Sequence, residues 1–127
     1  MSSHVAVWLD HREARIFHFQ ADASDELTVA APPHNDHHKH TRGQEGLKEH
    51  PEDIRRFYRG LATALQGAEK LLVVGAGSAH VEFIKFLHAF HPELEKKIVG
   101  IETVDHPSDA QLVAHAKKYF RGSDRMA

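Results

Sequence analysis

Residues 70–75, Lys-Leu-Leu-Val-Val-Gly, constrain the fold more than any other stretch of the chain. A short, unbroken apolar run that ends in a glycine turn reads as a strand covered on both faces. Such a strand belongs inside a sheet with helices packed above and below it, so the rest of the chain must supply neighbouring strands and two layers of helix. The run is followed by Gly75-Ala76-Gly77-Ser78, a tight turn, and then by a helical pattern from about Ser78 to Phe90. Val81, Phe83, Ile84, Leu87 and Phe90 are its expected core side, and His91-Pro92 its end.

The flanking segments fit this frame. His4 to Asp10 alternates Val5, Val7 and Leu9 against Ala6 and Trp8, and the short polar link Asp10 to Glu13 joins it to a second alternating run through Phe19. Together they predict an antiparallel hairpin. Glu26 to Ala31 predicts a third strand, stopped by Pro32-Pro33 because proline cannot donate to a ladder. Pro51-Glu52-Asp53 opens a helix to about Gln66, with Ile54, Phe57, Tyr58, Leu61, Ala62 and Leu65 as its buried stripe and Gly67 as its stop. Arg55, Arg56 and Arg59 fall on the flank nearest solvent. A charged turn from Glu93 to Lys97 leads to a strand from Ile98 to Val104, and His106-Pro107-Ser108-Asp109 opens a last helix to about Phe120, with a frayed tail over 122–127.

The expected order is β-β-β-α-β-α-β-α: an α/β, three-layer arrangement around a mixed five-stranded sheet, as in ribonuclease H-like folds. At 127 residues the chain is expected to form a single domain, 1–127, with a core of ordinary size. No apolar run approaches the roughly 18 residues of a membrane span, no secretory leader pattern opens the chain, and there is no cysteine. These features predict a cytoplasmic protein without disulfides or thiolate metal sites. The net charge of −2 selects no partner class, although thirteen histidines make it sensitive to mild acid.

One segment follows no hydrophobic pattern. Residues 34–50 are polar and crowded with histidine, and a loop of this length inside a compact domain is often functional. His34, His37, His38 and His40, with Asp36, are weak candidates for metal, since imidazole suits transition ions but no fixed ligand spacing is present. No cofactor is expected. Lys39, His40, Arg42 and Lys48 have the chemistry to meet phosphates, with Arg55, Arg56 and Arg59 continuing the patch, while Glu45, Glu49, Glu52 and Asp53 dilute its field. The remaining histidines, among them His4, His18, His80, His88, His91 and His115, are expected at surface or partly satisfied polar positions.

Two further readings of chemistry arise. Gly75-Ala76-Gly77-Ser78 before a helix invites anion binding, but it lacks both the third glycine of dinucleotide folds and a Gly-Lys-Ser/Thr, so a turn with Ser78 as N-cap explains it. Asp10, Glu102 and Asp105 are the carboxylates available to a two-metal nuclease, yet nothing in the linear order makes them converge.

The hairpin Val5 to Phe19, the loop Lys39-His40-Thr41-Arg42-Gly43-Gln44, the helix with Ile54-Arg55-Arg56-Phe57, and Leu71 to Ser78 together resemble the middle domain of archaeal and eukaryotic class-1 peptide chain release factors. The chain also looks like small bacterial translational machinery proteins related to that domain and to Pelota, particularly at Thr103-Val104-Asp105-His106-Pro107 and Gln111-Leu112-Val113. That resemblance implies a ribosome- or RNA-associated protein of the translation apparatus, with ribosomal RNA or tRNA as partner and Lys39, His40, Arg42, Gly43 and Gln44 at the tip. In the release factors the loop reads Lys-His-Gly-Arg-Gly-Gly-Gln, and its glutamine helps to position water against the peptidyl-tRNA ester. The same resemblance would make Gln44 catalytic in a release- or rescue-like hydrolysis. Arg42 directly before Gly43-Gln44, and Glu45 after it, depart from that pattern and favour binding over hydrolysis. The domain alone lacks parts that read codons, so a protein partner supplying them is expected; a homodimer, or a protein-binding or self-assembling module without an RNA role, stays open.

Overall fold

The computed structural model describes residues 3–21, 27–37 and 51–126. Its elements in chain order are β1 (Ser3–Leu9), β2 (Glu13–Ala21), β3 (Leu27–His37), α1 (Pro51–Ala64), β4 (Lys70–Gly75), α2 (Ala79–Phe90), α3 (Pro92–Glu95), β5 (Ile98–Thr103) and α4 (Asp109–Met126). The strands form one mixed sheet in the order β3-β2-β1-β4-β5. β1 is antiparallel to β2 but parallel to β4, and β4 is parallel to β5.

Both faces of the sheet are covered, for the reason the 70–75 run suggested. Alternation along β1 sends Val5, Val7 and Leu9 to one side, where they meet Leu71 and Val73 of β4 and the helices α1, α2 and α3. Ala6 and Trp8 point the other way, onto Phe17 and Phe19 of β2, Leu72 and Val74 of β4, and the α4 ridge Leu112, Ala116 and Phe120. The layers are thus α1, α2 and α3 on one face and α4 on the other.

Several local expectations are corrected. β3 does not stop at Pro32-Pro33 but runs on to His37, with Ile16 paired to His34 and Glu13 to His37. Proline is tolerated because β3 is an edge strand, and the register shifts between Ile16 and His18, where the two prolines fall. The polar stretch therefore begins as strand. The expected turn at Glu93 to Lys97 contains α3, a single helical turn with Pro92 at its start and Leu94 buried, so the element order is β-β-β-α-β-α-α-β-α. α4 continues to Met126 instead of fraying from Gly122. Val81 and Phe90 lie on the exposed side of α2 at 44% and 63% exposure, while His80 takes a core position on the same helix. Of the histidines expected at surface or partly satisfied polar positions, His4 and His80 are buried at 1% exposure each, His80 with Nε2 2.9 Å from Thr103 Oγ1; the His4 ring meets the Phe120 ring edge-on at 4.9 Å.

Gly67 and Gly75 need glycine for different reasons. Gly67 ends the α1 region at φ +93°, and Gly75 lets the end of β4 lie so close to β1 and α2 that a Cβ there would stand 2.5 Å from the Leu9 carbonyl oxygen and 2.8 Å from His80 Cβ. α4 begins with a reciprocal cap, in which the Gln111 N–H donates to Ser108 Oγ at 3.1 Å and the Ser108 N–H donates to Gln111 Oε1 at 2.9 Å. Tyr119, further along α4, lies over Gly100 and donates its hydroxyl to the Val99 carbonyl at 3.2 Å.

Candidate functional site

Because β1, β4 and β5 run parallel, their C-terminal ends gather along one rim of the sheet, the usual place for ligands in open α/β folds. Asp10 follows β1 there. Its Oδ1 accepts hydrogen bonds from the backbone N–H groups of Arg12 at 2.7 Å and Glu13 at 2.9 Å, which closes the hairpin turn. Its Oδ2 is 3.2 Å from His106 Nε2, and His106 Nδ1 is 2.9 Å from Asp105 Oδ1. An imidazole that donates from both nitrogens is protonated. The bond to Asp105, followed by the bond to Asp10, accordingly raises the His106 pKa above its ordinary 6.5. Partial burial would push Asp10 up, but the two amide bonds and His106 outweigh it and hold the carboxyl below 3.8.

The segment after β5 is tied down along its length. Trp8 Nε1 donates to the Val104 carbonyl at 3.1 Å, and the Trp8 and His106 rings meet at 4.9 Å. Arg15 lies over the Trp8 ring, 4.6 Å from its centroid, and donates to Asp109 Oδ1 at 2.7 Å and to the Pro107 carbonyl at 3.0 Å. Between this segment and α4 opens a cleft of about 370 Å³, walled by Val104, His106, Pro107, Gln111, Leu112 and His115. His115 is held by Glu102, Nε2 to Oε1 at 2.7 Å.

This arrangement suits binding better than proton transfer, since both nitrogens of His106 are engaged by carboxylates. Asp10 and Asp105 do converge, because parallel β1 and β5 end on the same rim, but they converge on the ring of His106, and Glu102 is turned to His115. Among the described residues, no group of three or more acidic, histidine or cysteine side chains is placed to hold a metal ion. His106 and His115 were missed from sequence. Their only signal was Asp105-His106-Pro107 after a strand, and its meaning depends on which strand ends beside it.

At the glycine turn, the start of α2 is already served by a carboxylate of its own. Glu82 Oε1 is 3.1 Å from the Tyr58 hydroxyl and 3.1 Å from His11 Nε2, and Glu82 Oε2 accepts from the Ser78 hydroxyl at 3.2 Å. Burial works to raise the Glu82 pKa, but the bonds from His11, Tyr58 and Ser78 prevail and lower it. An incoming phosphate would meet that negative charge. Ser78 occupies the N-cap position without making a side-chain cap bond.

Lys39, His40, Arg42, Gly43, Gln44 and Lys48 lie outside the described residues, as does His38. His34 and His37 are part of the β3 backbone. Arg55, Arg56 and Arg59 are exposed on α1, opposite buried Phe57, Tyr58 and Leu61, as the periodicity predicts; Arg56 stands 3.9 Å from Asp53. The arginines belong to one helical layer and the cleft to the other.

No family model and no curated protein matches the chain. Among solved structures, its backbone is similar to Pelota from Archaeoglobus fulgidus, with a TM-score of 0.63 and 16% identity over 98% of this chain and 34% of that one. Pelota from Thermoplasma acidophilum matches with a TM-score of 0.57 and 14% identity, over 86% of this chain and 30% of that one. A Ppx/GppA phosphatase from Aquifex aeolicus matches with a TM-score of 0.52 and 13% identity, over 83% of this chain and 36% of that one. The chain spans about a third of the length of each. Likeness at such identities is likeness of fold, and this fold is common to Pelota and to a phosphatase.

Proposed function

We propose that this domain is a binding module of the translation apparatus, which meets ribosomal RNA or tRNA through Lys39, His40, Arg42, Gly43, Gln44 and Lys48 and through Arg55, Arg56 and Arg59. The observation that carries the reading is the match to Pelota across 98% of the chain. It agrees with the order of the release-factor-like motifs along the sequence. The ribonuclease H-like name for the fold, a cytoplasmic location and a protein partner that supplies further translation domains belong to the same proposal.

The physical rationale is electrostatic. Residues 38–50 precede α1 in the chain, and α1 carries Arg55, Arg56 and Arg59 on its exposed side, with Glu49, Glu52 and Asp53 between the two basic sets. Arginine forks match phosphate geometry, and glycine beside them allows close backbone approach to RNA. Hydrolysis of an ester is not part of the proposal, because Arg42-Gly43-Gln44-Glu45 lacks the paired glycines and adds a carboxylate beside the glutamine.

The test is sedimentation of the purified chain with ribosomes in low-salt sucrose gradients. The wild-type chain is expected in the ribosomal fractions, with a reduced share for Arg42→Ala. A chain that remains at the top of the gradient refutes the reading.

A further inference from the structure

The cleft between α4 and the segment after β5 has walls of two kinds. Val104, Pro107 and Leu112 are apolar, while Asp105 brings an acceptor and Gln111 a donor. Gln111 Oε1 accepts from the Ser108 N–H at 2.9 Å, so the amide nitrogen is the free end of the side chain, and among the described residues it has no partner. Asp105 gives one oxygen to His106 Nδ1 and, with its side chain 96% exposed, keeps lone pairs for a further donor. A phosphate is the wrong occupant, because the carboxylates of Asp10, Glu102 and Asp105 face at most two imidazoliums, His106 and His115, and leave the site net negative. What fits is a neutral group with apolar faces and both donors and acceptors along its edge, which is the chemistry of a nucleobase. The volume of about 370 Å³ gives room for one.

The topology sets this cleft on the rim from which the basic segment departs. β3 is parallel to β1, since both are antiparallel to β2, and it ends at His37, paired with Glu13. The Glu13 carbonyl accepts from the Asp10 N–H at 3.0 Å, and Asp10 reaches His106 at the mouth of the cleft. Only β2 separates the ends of β3 and β1, two strand spacings or roughly 10 Å. We propose that the cleft receives one unpaired base of a single-stranded RNA whose phosphates meet Lys39, His40 and Arg42 in the segment that follows β3. The inference rests on the RNA-binding reading above and narrows the partner to single strands, because a paired base has its edge and faces already occupied.

Fluorescence anisotropy of the full chain with labelled hexa-adenosine RNA, and with the same hexamer lacking its bases, tests the inference. The base-bearing hexamer is expected to bind about tenfold more tightly. Gln111→Glu keeps the acceptor of the Ser108 cap but removes the amide donors, and is expected to bring that ratio close to one. Asp105→Ala is expected to lower the ratio too, whereas a site for phosphates alone would answer the lost negative charge by binding both hexamers more tightly. Near-ultraviolet circular dichroism shows that each variant is folded. A ratio of one in the wild-type chain, or a ratio that neither variant lowers, overturns the inference and leaves the RNA reading standing. No binding of either hexamer at low salt also overturns it, and the reading beneath it is then decided by ribosome sedimentation. Adenosine that binds the cleft more tightly than the hexamer does would assign it to a free nucleoside and overturn the RNA assignment.

Discussion

His106 and Asp10 are 96 residues apart in sequence and 3.2 Å apart in the structure, Nε2 to Oδ2. That contact joins the turn after β1 to the connection between β5 and α4, with Asp105 completing the bridge at the other ring nitrogen. Its dependence on pH has a definite sign. The His106 pKa is raised, so its contribution to stability is full below 6.5 and is lost as pH climbs through the higher value of the folded state. The Asp10 pKa is lowered, so its contribution is full above 3.8 and is lost as pH falls through the lower folded value. The bridge is therefore fully formed between those limits. An NMR titration of the His106 ring should show a midpoint above 6.5 that falls in Asp105→Asn and, by a smaller amount, in Asp10→Asn. A wild-type midpoint at or below 6.5 would contradict the geometry.

Arg15 holds three groups at once: the Trp8 ring, the Asp109 carboxylate and the Pro107 carbonyl. A lysine ammonium cannot lie flat on the ring while it donates in two fixed directions. Arg15→Lys is therefore expected to cost about 1–2 kcal/mol in urea unfolding, close to the cost of Arg15→Ala. Stability unchanged in Arg15→Lys would mean that the guanidinium geometry is not what anchors the segment.

Gly75 and Gly67 should respond to alanine in different ways. At Gly75 the added Cβ would stand 2.5 Å from the Leu9 carbonyl oxygen and 2.8 Å from His80 Cβ, so a packed backbone has to shift. A loss of about 1–3 kcal/mol is expected, as for other overpacked interiors. At Gly67 nothing lies within 4 Å and only the positive φ resists, so about 1 kcal/mol is expected. Thermal melts of the two variants would order them, and equal losses would count against a close approach at Gly75.

The parts of the fold legible in the sequence were those with strong local period. Val5, Val7 and Leu9 opposite Ala6 and Trp8, the α1 stripe from Ile54 to Leu65, and the twice-covered β4 all follow from alternation, helical spacing or an unbroken apolar run. The departures arise where tertiary context overrides a local rule. Pro32-Pro33 stops a central strand but not an edge strand with a shifted register. Phe83 and Leu87 are buried in α2 as the spacing predicts, but Phe90, with the same spacing, is exposed, and His80 takes a core position. The convergence of Asp10 with Asp105 could not be read from the chain because it needs β1 and β5 to be parallel with β4 between them. Arg55, Arg56 and Arg59 were legible as a solvent-facing set.

The central claim, RNA contact through the basic segment and α1, is tested most directly by ribosome binding as a function of salt. Each phosphate contact that is lost flattens the dependence of log K on log salt, by about 0.9 per contact on duplex DNA and about 0.7 on single strands. The experiment compares the wild-type chain with a variant carrying Arg55→Glu, Arg56→Glu and Arg59→Glu, with sedimentation through gradients as the readout. The wild-type chain is predicted to co-sediment at low salt and to dissociate steeply as salt rises, and the triple variant, folded by circular dichroism, to bind weakly with a shallower slope. A wild-type chain that does not bind ribosomes, or binding whose strength and salt slope are the same in both proteins, contradicts the claim.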